Sequence, residues 1–169
     1  ILGTAVPEVR AAERVMDPRV AFIISSFLND AIQRGTGRRA RVLERQDISG
    51  KTGTTNGPRD AWFSGFNRDL ITTAWVGFDD YGPLGRREFG GTAALPIWID
   101  YMREALPAAQ PPPALPPGIV RLRVDRESGL RVRGQPEGSM MEYFLEESLP
   151  DWQSDAESRF NPDDLDQIF

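Results

Sequence analysis

The chain has 169 residues, 40% of them hydrophobic, 27% charged and 9% aromatic, with a formal net charge of −5. That is globular composition, long enough for one core of useful size. Cys and His are both absent, which excludes disulfides, thiolate catalysis, Cys-ligated metal sites and any Ser–His–Asp scheme, and leaves chemistry to Ser, Thr, Tyr, Lys and carboxylates.

In chain order, residues 1–16 are weakly patterned and read as an incoming connection. They hold Arg10 and Arg14 and no apolar signal core, and no run in the chain approaches the roughly 20 apolar residues of a membrane span. Asp17-Pro18 is a helix start, an N-cap followed by proline at the first helical position. Val20, Ile23, Ile24, Phe27, Leu28, Ala31 and Ile32 then recur at three- and four-residue spacing, and Gly35 and Gly37 stop the helix. Three strand-like runs follow at 48–55, 61–66 and 70–78, separated by the breakers Asn56-Gly57-Pro58 and Asn67-Arg68-Asp69. Turns this short imply antiparallel neighbours, because parallel strands need longer crossovers. After the glycine-rich stretch 82–91, Thr92 is the expected cap of a helix over about 93–106 that puts Leu95, Trp98, Ile99, Met102 and Leu106 on one face. Helices against an antiparallel sheet give an α+β fold.

Six prolines between Pro107 and Pro117 predict a semi-rigid linker. Beyond it Ile119–Val124 alternates as a strand, Ser128-Gly129 turns, and Leu130 and Val132 alternate again, so a small hairpin is expected there. Met140–Leu145 reads as one short helix. From Glu142 to Phe169 nine acids face one cation, Arg159, which suggests a solvated, flexible acidic tail over 150–169. The expected divisions are thus 1–106, the linker 107–117, a β-hairpin and helix segment 118–149, and the tail.

Nineteen of the twenty cations are Arg, and the one lysine is Lys51. It stands in Gly50-Lys51-Thr52-Gly53-Thr54. A phosphate-binding loop would need glycine at position 45, which is Arg, and a helix opening after the Thr, which Gly53, Gly57 and Pro58 oppose. The other reading is the K-T-G strand of the serine acyl-transferases that bind penicillin. There the ammonium attracts a substrate carboxylate and the Thr hydroxyl binds it. The glycine lets substrate lie against the strand, and the next N–H serves an oxyanion. A bare tripeptide leaves an ordinary edge strand open as well. Asp79-Asp80 has no further ligands nearby and makes a poor metal site. The dispersed Arg residues form no nucleic-acid surface.

Taken together, Arg34-Gly-Thr-Gly-Arg38, Gly50-Lys-Thr-Gly-Thr-Thr-Asn56, Asp60-Ala-Trp-Phe-Ser-Gly-Phe66, Trp75-Val-Gly-Phe78 and Gly90-Gly-Thr-Ala-Ala-Leu-Pro-Ile-Trp98 closely resemble the transpeptidase domain of the bifunctional, class A penicillin-binding proteins. The resemblance implies the penicillin-binding, serine β-lactamase-like α+β fold and a peptidoglycan D,D-transpeptidase that β-lactams acylate. By it, Lys51 and Thr54 are the expected catalytic residues, Thr52, Gly53 and Thr54 bind substrate, and no metal or cofactor is needed. The expected partners are peptidoglycan stem peptides, β-lactam antibiotics and an N-terminal remainder of the same protein, with no nucleic acid and no membrane contact from this segment. That remainder would carry a glycosyltransferase domain and an anchoring helix at the periplasmic face of the inner membrane. The family's Ser-x-x-Lys is missing, since Ile48 stands three residues before Lys51, and no Ser has Asn two positions later. The nucleophile is therefore expected outside this chain, which reads as a C-terminal piece beginning mid-domain. A serine β-lactamase or D,D-carboxypeptidase, or a non-catalytic structural fragment, are the competing readings.

Overall fold

The computed structural model describes residues 13–153; the first residues of the incoming connection and the tail from 154 onward lie outside it. Helix α1 (Pro18–Gln33) begins where the sequence places it. The Asp17 carboxylate accepts the Arg19 N–H at 2.8 Å, replacing a partner that the first helical turn lacks. A 3-10 turn (Arg38–Leu43) then leads into strands β1 (Ser49–Thr54), β2 (Asp60–Phe66) and β3 (Ile71–Gly77).

The three strands form one antiparallel meander in the order β1-β2-β3. Its turns explain the pairing. Asn67 Oδ1 accepts the N–H groups of Asp69 and Leu70, at 3.0 and 2.8 Å, an Asx turn that reverses the chain between β2 and β3. Thr55 Oγ1 does the same for Arg59 and Asp60 before β2. In register, Thr52 faces Phe63 and Phe63 faces Ala74, and this side of the sheet is the core side. The other side carries the row Lys51–Ser64–Thr73, where Ser64 and Thr73 hydroxyls meet at 2.8 Å.

Helix α2 (Leu95–Ala105) closes the core with Leu95, Trp98, Ile99 and Met102, the face expected from spacing, and Leu106 packs partly buried at its end. Trp98 meets Phe63 edge to face at 4.9 Å and donates its indole N–H to Thr72 O at 3.1 Å. Thr92 is not the cap of this helix. Gly90–Ala94 form a wider turn in which the Leu95 N–H reaches Gly90 O, because Pro96 has no N–H to continue an α-ladder backward. Thr92 sits inside that turn, and its Oγ1 accepts the Phe89 N–H at 2.8 Å.

The proline-rich stretch lacks regular structure but does not swing free. Asp47 is forked by Arg45, with both bonds at 2.6 Å, and accepts the Gln110 N–H at 3.2 Å, while Arg45 donates to Pro107 O at 2.7 Å. One ion pair thereby pins the start of the stretch to the body of the protein.

Strand β4 (Ile119–Asp125) is as expected, but its partner is not. It pairs antiparallel with β5 (Ser139–Leu145), so Met140–Leu145 is a strand and not a short helix. An apolar run this short has no period that separates strand from helix, and the unpaired N–H and C=O groups of β4 decide for the strand. Leu130 and Val132 make no strand; only Arg131 bridges to Val124. The hairpin rests on α1 through Phe22 and Tyr143, whose rings meet edge to face at 5.1 Å, and through Arg19 Nη1 bonded to Glu147 Oε1 at 2.7 Å. Residues 150–153, expected to be flexible, are held: Trp152 bridges to Arg131, whose guanidinium lies 4.6 Å from its ring.

Candidate active site

β1 is an edge strand of its sheet, with β2 on one side and no strand on the other among the described residues. Gly50 is there for packing. A Cβ on it would stand 2.7 Å from Ser64 O and 2.9 Å from Gly65 Cα, so the first glycine of G-K-T-G answers to the core and not to a ligand. Gly90 supports the far end of the strand. A Cβ there would strike Gly53 O at 2.5 Å, and its N–H donates to Thr54 Oγ1 at 3.0 Å.

Lys51 leaves the sheet on its exposed side and is itself exposed. Its ammonium donates to Thr52 O at 3.1 Å, to Thr52 Oγ1 at 3.1 Å and to Thr36 Oγ1 at 3.3 Å. Thr52 Oγ1 in turn donates to Thr36 Oγ1 at 2.9 Å. Three donors of one ammonium thus end on neutral acceptors, and Lys51 has no salt-bridge partner among the described residues. The arrangement has a free positive charge with two hydroxyls beside it, which is what an incoming carboxylate requires.

Lys51, Thr52 and Thr36 come together. Gly53 lies opposite Trp62 on the same strand pair, and Thr54 is turned to Gly90, so its hydroxyl already accepts one hydrogen bond. Thr36 is the residue whose part the sequence does not announce. Its motif, Arg34-Gly-Thr-Gly-Arg38, is conspicuous, but the hydroxyl's role depends on a loop that folds back toward the sheet. The Gly37 N–H bonded to Ala31 O at 2.8 Å makes that fold-back visible.

Edge strand, lysine and hydroxyls on an α+β sheet backed by helices define a segment of the penicillin-binding fold. The chain belongs to the penicillin-binding proteins, and it matches a C-terminal transpeptidase-domain segment of their class A branch. It is 52% identical over 144 residues to penicillin-binding protein 1A of Pseudomonas aeruginosa, a match that covers 85% of this chain and 18% of that protein. It is 50% identical over 99 residues to penicillin-binding protein 1A of Neisseria gonorrhoeae, covering 59% of this chain and 12% of that protein. The crystal structure of penicillin-binding protein 1A from Haemophilus influenzae superposes with a TM-score of 0.77 at 40% identity, covering 87% of this chain and 23% of that one. No family model matches. The chain therefore spans less than a fifth of the curated relatives it matches.

Proposed function

We propose that this chain supplies the K-T-G wall of a serine D,D-transpeptidase that cross-links peptidoglycan stem peptides and is acylated by β-lactams. The observation that carries this reading is the ammonium of Lys51 bonded to Thr36 and Thr52 on an edge strand with no strand beyond it among the described residues. A donor peptide lies along β1 as an added strand, and its carboxylate displaces the neutral acceptors now held by Lys51 and Thr52. The Thr54 N–H contributes to the oxyanion hole, where a donor acts most strongly as the tetrahedral intermediate forms. Lys51 and Thr54 are thus the catalytic residues, and Thr52, Gly53 and Thr54 line the substrate.

The serine nucleophile belongs to a Ser-x-x-Lys motif that this sequence does not contain. In this reading it comes from an N-terminal remainder of the same polypeptide, periplasmic, membrane-anchored and also a glycosyltransferase. The sheet side bearing Trp62 and Trp75, both more than two-fifths exposed, is where that remainder packs. The division at the proline-rich stretch 107–117 holds within the same proposal.

The test is the second-order rate of penicillin acylation in the polypeptide that joins this chain to its serine. Lys51→Ala is expected to lower it by about 100- to 1,000-fold, the scale of one lost preorganised donor, with the melting temperature unchanged. Acylation at the wild-type rate would sink the assignment.

A further inference from the structure

Between α1, the start of β1, the β2–β3 turn, the proline-rich stretch and β5 lies a cavity of about 350 Å³. None of Thr36, Lys51 or Thr52 lines it, so it is separate from the groove described above. Its volume falls in the range of small-molecule sites, about 300–1,000 Å³. Phe22, Phe66, Pro112 and Tyr143 give it apolar walls, and Asn67 and Arg68 bring polar groups to it.

Asn67 is 8% exposed, and its amide orientation is fixed, because Oδ1 takes both N–H groups of the turn. Its Nδ2 is left buried with no acceptor among the described residues. Such an orphan donor is costly and calls for an acceptor. Arg68, next to it, has no carboxylate within salt-bridge distance among the described residues. The one acid in the lining, Asp47, is already neutralised by the Arg45 fork and the Gln110 N–H, so it leaves the charge of Arg68 uncancelled.

We propose that this cavity is a binding site for a small apolar carboxylic acid, whose hydrocarbon body fills the Phe22–Tyr143 walls and whose carboxylate takes Asn67 Nδ2 and Arg68. The proposal is separate from the transpeptidase groove and rests on that reading in one respect only: the N-terminal remainder must leave the cavity uncovered. Free acids and peptide C-termini share this chemistry, and the probes distinguish them. The 169-residue chain is titrated with 3-phenylpropanoate, with N-acetyl-phenylalanine and with N-acetyl-phenylalaninamide, following the Asn67 side-chain amide by ¹H–¹⁵N NMR.

At least one of the two acids is expected to bind at least tenfold more tightly than the neutral amide, with Asn67 Nδ2–H shifting on binding. Binding of the phenylpropanoate alone assigns the site to free acids, and binding of the acetylated residue alone assigns it to peptide ends. Arg68→Gln, a change on an exposed turn, and Asn67→Asp, which keeps the turn-forming oxygen and deletes the donor, are each expected to weaken the acid at least fivefold. Absence of binding at millimolar acid, equal binding of acid and amide, or acid binding unchanged in a folded Arg68→Gln would each overturn the proposal.

Discussion

At Thr36 the hydroxyl oxygen accepts from both Lys51 Nζ and Thr52 Oγ1, which leaves its own proton for a substrate acceptor. Thr36→Val deletes the acceptor and the proton while keeping the volume. It is expected to slow penicillin acylation by about tenfold or more, since hydrogen bonds to charged groups are worth about 1.5–3 kcal/mol, with little change in the melting temperature. Lys51→Arg keeps a charge but replaces a compact ammonium with a planar fork, and it is expected to restore only part of the rate lost in Lys51→Ala. Gly50→Ala behaves oppositely: it should lower the melting temperature first, by overpacking worth about 1–3 kcal/mol, because its Cβ would meet Ser64 O at 2.7 Å. Lys51 stands out in the sequence as the only lysine, in a run that forms a strand. Thr36 does not, because its partners are 15 and 16 positions away.

Among elements, the ion pair at the foot of β1 governs how the proline-rich stretch attaches. Asp47→Asn removes the charge that Arg45 grips and leaves Arg45 unpaired where it reaches Pro107. A loss of about 1.5–3 kcal/mol is expected in chemical denaturation, the worth of a charged hydrogen bond, together with faster proteolysis near 107–113. Acid should have a related effect. The Arg45 fork holds the Asp47 carboxyl below the ordinary carboxylate range, Arg19 does so for Asp17, and Glu147 is lowered by its own backbone N–H and then by Arg19. Each folded-state value lies below the unfolded one, so the stability these groups confer is complete above the ordinary value. It is lost as pH falls through the depressed ones. Melting temperatures are therefore expected to be flat near neutrality and to drop below about pH 4, less steeply in Asp47→Asn.

Some elements carry their own local signal and others take their structure from distant partners. α1 has a cap, a proline and a period; the meander has turn residues whose side chains close the turns themselves. β5 offers only Met, Met, Tyr, Phe and Leu around Glu142, and every one of its residues is half-buried, so no alternation marks a strand. Its identity comes from β4 across a 13-residue gap, a long-range pairing that local pattern does not encode. The wide turn at Gly90–Ala94 combines a local cause, Pro96, with a distant one that local pattern does not encode, the close approach of Gly90 to Gly53 and Trp62.

For the whole molecule, the proposal divides labour between this chain and a serine it does not contain. The isolated 169-residue chain is expected to show no covalent adduct by intact mass after incubation with a penicillin, because none of its serines has a lysine three residues on. A stoichiometric adduct would place the nucleophile here and require a different mechanism. The role proposed for Lys51 is decided by a crystal structure of the polypeptide that joins this chain to its serine, acylated by benzylpenicillin. The ligand's carboxylate is expected within about 3 Å of Lys51 Nζ and Thr52 Oγ1, its amide carbonyl or nitrogen paired to the β1 backbone, and the acyl oxygen on the Thr54 N–H. A carboxylate held by other residues, with Lys51 still bonded to Thr36 and Thr52, would contradict it.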